Sequence, residues 1–276
     1  MIQKFSDKII LKNCPNFDVC DVLECGQVFR YEKTESGYVV ISLDKMARVV
    51  QFDDEIHIIT KDVDYFYHYF DLDKDYQKAI DLLSSHGEIL QQACQFGKGI
   101  RILNQNPYEM TVSFVISANN NIKRIQQIID RMCKGLGNKT EFGWAFPTLE
   151  QLQTADESFF KSIGAGYRAK YLVNLANQLR NFDFESLKTM DSDQARKVLC
   201  SLSGVGPKVA DCILLFGVGH QKVFPVDTWI KKVYHKYFET GLSESQISTF
   251  FVQKFGDLSG LAQQYLFYFQ RKYLQN

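Results

Sequence analysis

What most limits the folds open to this chain is a change in the period of its hydrophobic pattern at about residue 60. Up to Thr60 apolar residues alternate in short runs, KIILKN, QVFRYEK, GYVVISL, ARVVQFDD and EIHIIT, separated by TESG, DK and DDE. A period of two with polar breaks is the signature of half-buried strands joined by turns, so this part predicts an antiparallel sheet. From about Asp64 the period becomes helical, first in AIDLLSSHGEILQQACQFG and then, after Pro107, in YEMTVSFVISA. The two periods cannot share one layer. The expected class is therefore α+β: an N-terminal antiparallel sheet domain over residues 1–100, with a bridging helix from Tyr76 to Phe96, and an all-helical domain over residues 101–276. No internal repeat or low-complexity tract interrupts either part.

The stretch LSGVGPKVADCILLFGVGHQKVFPVD, Leu202 to Asp227, concentrates the chemistry. Gly204 and Gly206 bracket Val205 in a tight turn whose amides could approach an anion such as a phosphate, though a glycine turn before a helix is also ordinary punctuation. Lys208 opens an apolar helix running to about Phe216. The positive end of a helix disfavours a nearby ammonium, and the neutral amine is the form that attacks carbon, so Lys208 is a candidate nucleophile. A contact with Asp211, three residues on, is the plainer alternative. Asp227 precedes the amphipathic run TWIKKVYHKYF and reads equally well as a helix N-cap.

Composition narrows the class of partner. The 276 residues can bury a sizeable core, and 32 Lys and Arg balance 32 Asp and Glu. With no net charge, any attraction to phosphate must come from local patches. The 22 Phe and 14 Tyr fill the core or stack on bases. Seven scattered cysteines show no CxxC pair and no metal-ligand spacing, so reduced thiols and no metal are expected. No secretory signal and no bilayer-spanning apolar run is visible, and the expectation is a soluble, cytoplasmic protein with no membrane partner.

Further turns carry candidate ligand contacts. Asn119, Asn120 and Asn121 form a sharp connection before IKRIQQIIDRMCKGLG, an amphipathic helix with Ile122, Ile125, Ile129 and Met132 inward and Lys123, Arg124 and Arg131 outward. Those charges are either an ordinary solvated face or the border of a bound duplex. GAGYRAKY sets Tyr167 and Arg168 at a second glycine turn, suited to prying into a base stack or to plain surface packing. The last helix, from about Leu258 to Leu274, carries Gln263 and Phe267 four residues apart on one face, where Phe267 could equally be core.

Taken together, CGQVFRY, NPYEMTVSFVISANNNIKRI, GAGYRAKY, LSGVGPKVADC, VFPVD and GLAQQYLF stand in the order found in 8-oxoguanine DNA glycosylases, and the chain resembles that family over nearly its whole length. The Lys208 stretch is similar to the helix-hairpin-helix with downstream Pro225-Val226-Asp227 of the wider base-excision superfamily. The resemblance implies a bifunctional glycosylase and abasic-site lyase without cofactor, binding double-stranded DNA as a monomer. Acting on DNA, it would sit with the bacterial nucleoid or in a eukaryotic nucleus. Lys208 would attack C1′ of the damaged nucleotide, with Asp227 stabilising the cation that grows on the sugar. Cys212 and Phe267 would hold the flipped base between them, Gly26 would direct its carbonyl at N7–H of the lesion, and Gln263 would meet the Watson–Crick edge. One such discriminating contact is worth roughly 1–3 kcal/mol where a buried group would otherwise stay unpaired.

On the opposite strand, Asn119 would fill the vacated space, Tyr167 would be the wedge, and Arg124 with Arg168 would contact the orphaned cytosine. Gly204, Val205 and Gly206 would offer amides to a phosphate. Two departures stand out: Ser203 where many family hairpins have proline, and Trp229 where better-known members have histidine. The four-cysteine cluster of the endonuclease III branch is missing, so no iron–sulfur centre is expected. The rivals are a glycosylase of the same architecture for alkylated purines and a non-catalytic DNA-binding module.

Overall fold

The computed structural model describes residues 1–238 and 241–273. Six strands form one antiparallel sheet: β1 (Ile2–Lys4), β2 (Lys8–Lys12), β3 (Tyr31–Thr34), β4 (Gly37–Ser42), β5 (Lys45–Gln51) and β6 (Glu55–Ile59), in the order β1-β2-β6-β5-β4-β3. The alternation read in the sequence is the burial pattern observed. In β4 Tyr38, Val40 and Ser42 face inward, and Val49 of β5 and Ile58 of β6 pair side by side within the same core.

The N-terminal part departs from the expected all-strand pattern at two places. Val19–Glu24 is a helix, capped by Asp18, whose Val19, Val22 and Leu23 close the sheet core. Six residues are too few to display a helical period. The run QVFRYEK becomes strand only at Tyr31, and residues 25–30 form a loop that matters below.

The remainder is helical except for a short antiparallel hairpin, Lys139–Thr140 with Gly143–Trp144, which the expected all-helical pattern did not include. The expected bridge from Tyr76 to Phe96 is two helices, Gln77–Ser84 and Glu88–Phe96, parted at Gly87, which takes φ +114°. Both pack into the helical core, where Ile80, Leu83, Leu90 and Cys94 are buried. At the centre of that core lies Pro107–Ser117, capped by Asn106 with proline at its first position and buried on all sides from Glu109 onward. Packed around it are Ile122–Leu136, Arg168–Gln178 and the lysine-bearing helix Pro207–Ile213. The C-terminal helix, Ser259–Tyr273, lies against Glu88–Phe96 and Thr228–Tyr237; Leu274 falls outside the described residues.

The sheet and the helices are fastened by buried polar groups. Glu109 is 3 % exposed, lies 3.6 Å from the Arg30 guanidinium, and accepts the Leu43 amide at 2.7 Å. Burial pushes the Glu109 carboxyl above its ordinary range despite the opposing pull of Arg30. Among the described residues, no helix is long and apolar enough to cross a membrane.

Candidate active site

The lysine helix begins at Gly206, with Pro207 in the first turn and Lys208 next to it. Its apolar face, Val209, Ala210 and Ile213, is buried, and Asp211 is buried too. Asp211 pairs with Arg196 at 2.5 Å rather than with Lys208, so the lysine is not tied down by the acid that the plainer reading gave it. After Ile213 the helix widens into a π-turn, Leu214–Val218, and Gly219 at φ +93° ends it. The chain then runs back through buried Val223, Phe224 and Pro225 to Asp227, which faces the same cavity as Lys208.

That cavity has a volume of about 930 Å³ and is walled by Gly26, Asn119, Lys208, Cys212, Asp227, Trp229, Gln263 and Phe267, among others. Lys208 lies half-buried, its Nζ 5.6 Å from the Phe114 ring centre. Asp227 does cap its helix, accepting from the amides of Trp229 at 3.0 Å and Ile230 at 2.9 Å. Both bonds fall on Oδ1, so the cap does not engage the second oxygen. Burial raises the Asp227 carboxyl above its ordinary value, outweighing those two amides and the charge of Lys208. Cys212 is buried, and its thiol is pushed up to about 11 by that burial, with Lys208 pulling the other way. It therefore offers an uncharged, polarisable surface to the cavity.

The opposite wall is built from the two ends of the chain. Gly26 takes φ +94°, and a Cβ there would come within 3.0 Å of both the Phe267 ring and the Arg271 guanidinium. Only glycine fits both demands. Its loop is bolted by residues that the motif reading passed over. Gln27, fully buried, donates to the carbonyls of Val22 at 3.1 Å and Arg101 at 2.7 Å and accepts from the Leu103 amide at 2.9 Å. Gln264 donates to the Cys25 carbonyl at 2.8 Å. Gln263, one residue earlier and about 100° around the helix, lines the same cavity, but its Oε1 is buried without a hydrogen-bond partner.

The residues expected to face an opposite strand cluster beside the cavity mouth, and they differ in freedom. Asn119 is exposed at φ +50°. Tyr167 is 57 % exposed, its hydroxyl 3.2 Å from the Ala118 carbonyl. Arg124 is exposed and reaches the Gly164 carbonyl at 3.3 Å. Arg168 differs from the open cation expected. It is 4 % exposed and donates to the carbonyls of Ala118, Asn119 and Ala165, stitching the GAGYRA turn to the asparagine turn. In the hairpin the Val205 amide is not available either, because it bonds to the Leu202 carbonyl at 3.1 Å. The amides of Gly204 and Gly206 have no such partner among the described residues. Trp229 lines the cavity with Lys232 Nζ 4.6 Å from its ring centre.

Residues 9–111 match the family model for the 8-oxoguanine DNA glycosylase N-terminal domain, and residues 112–254 match that for the HhH-GPD superfamily base excision DNA repair protein. An N-glycosylase/DNA lyase OGG1 from Arabidopsis thaliana is 35 % identical over 188 residues, which is 62 % of this chain. The aligned chain spans about half, 52 %, of that relative's length. A probable N-glycosylase/DNA lyase from Methanothermobacter thermautotrophicus is 31 % identical over 74 % of this chain and 73 % of its own. Among solved structures, the Clostridium acetobutylicum 8-oxoguanine glycosylase/lyase, in complex with double-stranded DNA containing cytosine opposite 8-oxoguanine, superposes with a TM-score of 0.92 at 38 % identity, over 99 % of this chain and 98 % of that one. With both of its parts matched and the likeness running end to end, the chain belongs to the 8-oxoguanine DNA glycosylase family within the HhH-GPD superfamily of base-excision repair proteins.

Proposed function

We propose that this chain excises 8-oxoguanine from duplex DNA, preferring cytosine opposite the lesion, and then cleaves the abasic site it has made. The observation that carries the reading is one cavity holding an amine, a carboxylate, a sulfur, an aromatic ring and a buried amide oxygen with no partner. An extruded purine sandwiched by Cys212 and Phe267 gives that Gln263 oxygen a donor on its Watson–Crick edge. The Gly26 carbonyl accepts from N7–H, a donor that oxidised guanine has and guanine lacks.

The chemistry follows from the positions of Lys208 and Asp227. The neutral Lys208 amine attacks C1′, the glycosidic bond breaks, and the base leaves with the bonding pair and takes up a proton. Ionised Asp227 offsets the cation developing on the sugar. Opening of the sugar ring gives an iminium linking Lys208 to C1′. Loss of a C2′ proton then expels the 3′ phosphate by β-elimination. Exposed Arg124, Tyr167 and Asn119 border the opposite strand, with Arg124, held by one bond to the Gly164 carbonyl, as the cation that meets the O2 and N3 acceptors of cytosine. Arg168 already commits four N–H groups to carbonyls, so it can add one bond at most unless a partner is given up. Backbone contact to a phosphate rests on the Gly204 and Gly206 amides.

In this reading residues 1–100 supply the Gly26 loop and residues 101–276 the catalytic groups, and the enzyme works as a monomer wherever the duplex lies, in a bacterial nucleoid or a nucleus. Borohydride added during incubation with an 8-oxoguanine–cytosine duplex is expected to leave a covalent protein–DNA adduct that disappears in Lys208→Gln. DNA binding with no adduct would identify a non-catalytic module instead. Adduct formation on alkylated purines but not on 8-oxoguanine would identify the alkyl-purine rival.

A further inference from the structure

The C-terminal helix turns a third residue toward the cavity beside Gln263 and Phe267. Arg271 lies four residues beyond Phe267 and eight beyond Gln263, a spacing that keeps the three along one side of a helix, and it lines the same cavity. Its guanidinium rests 5.2 Å from the Phe267 ring centre, and Nη2 donates to the Glu24 carbonyl. Nη1 is shielded from solvent and has no acceptor. Among the described residues, two side-chain atoms of the cavity wall are in this state, Gln263 Oε1 and Arg271 Nη1. A buried donor left unpaired is costly, whereas a methionine of similar length would fill the space at no such cost. A ligand that brings an acceptor removes the penalty.

The position of Nη1 says which part of a ligand it meets. It lies 3.0 Å from where a Cβ on Gly26 would be, so this donor stands directly beside the backbone assigned to N7–H. The lesion presents N7–H flanked by two carbonyl oxygens, O6 on one side and O8 on the other. We infer that Arg271 is a further specificity-determining residue: its Nη1 donates to a carbonyl oxygen next to N7–H of the extruded base while Gly26 accepts from N7–H itself. The inference rests on the glycosylase reading above. In the present arrangement the Phe267 ring lies against Gly26. A base entering between Phe267 and Cys212 moves that ring away from Gly26 and from the Arg271 guanidinium beside it. Once there, the guanidinium also faces the oxygen on which negative charge collects as the base departs, an effect felt in base release and not in the later elimination.

The test separates those two steps. Single-turnover excision from an 8-oxoguanine–cytosine duplex is compared with borohydride trapping on a preformed abasic site, which has no base to read, for wild type, Arg271→Met and Arg271→Lys. Arg271→Met is expected to slow excision about tenfold or more with abasic-site trapping within about twofold of wild type, and Arg271→Lys, which keeps a donor, to recover part of the loss. Excision by Arg271→Met within about twofold of wild type overturns the assignment, as does an equal fall in excision and trapping, which marks loss of the folded site. Affinities measured in a non-cleaving Lys208→Gln background tell the two oxygens apart. An Arg271→Met penalty that persists on 8-oxoadenine points to O8, and one confined to 8-oxoguanine points to O6. A wild-type protein that traps neither substrate overturns the glycosylase reading itself; wild-type trapping with an unaffected Arg271→Met overturns only the role of Arg271.

Discussion

Asp227 serves two roles at once, and substitutions can separate them. As a cap it offers Oδ1 to two amides, and as part of the cavity its carboxyl is raised by burial, with the charge of Lys208 pulling the other way. Asp227→Asn keeps a capping oxygen and removes the charge. We expect it to melt at the wild-type temperature or higher, while single-turnover excision falls by about a hundredfold. Asp227→Ala loses the cap as well, and urea unfolding should show about 1 kcal/mol of destabilisation. The raised carboxyl fixes the sign of the pH dependence. Protonation of Asp227 sets in at a higher pH than for a free aspartate, and the protonated form cannot offset a cation. Excision should therefore decline on acidification with a midpoint above about 3.9, and the residual rate of Asp227→Asn should lack that limb. For stability the direction is opposite: the folded state favours the protonated form, so this group's contribution is present at low pH and diminishes as pH rises through its folded value.

The C-terminal helix shows what a sequence can and cannot disclose about one element. Gln263 and Phe267 were legible because a four-residue spacing places them on one face whatever the rest of the fold does. Gln264 was not, because its partner, the Cys25 carbonyl, is 239 residues away and no local pattern announces it. Gln264→Leu leaves that carbonyl unpaired in the interior and should destabilise the protein by roughly 1–3 kcal/mol in urea. By loosening the Gly26 loop it should also slow excision more than abasic-site trapping. Similar reasons explain the other differences between sequence and structure. Val19–Glu24 is shorter than two turns, the Gly87 break falls inside a helical pattern, the engagement of Arg168 depends on the Ala118 and Asn119 carbonyls that only the folded chain brings near, and the Val205 amide is closed by a turn bond to Leu202 that the glycine spacing does not specify.

At the scale of the whole molecule, the change of period near residue 60 was enough to give the α+β class, since it needs only the alternation of each segment. How the two parts are joined was hidden, because beside the packing of Phe29 on Phe114 the join includes single buried polar groups that no local pattern marks. Glu109 reaches from the central helix to Arg30 and the Leu43 amide on the sheet side. Glu109→Ala strands the Arg30 cation, 8 % exposed at its side chain, with no carboxylate, and denaturant unfolding should record a loss of about 3–5 kcal/mol. The wall that holds Gly26 against Phe267 and Arg271 has a consequence for synthesis. During synthesis Gly26 is made early but has no Phe267 ring or Arg271 guanidinium to rest against until the chain has been extended past residue 271, so this wall of the cavity is among the later parts to assemble.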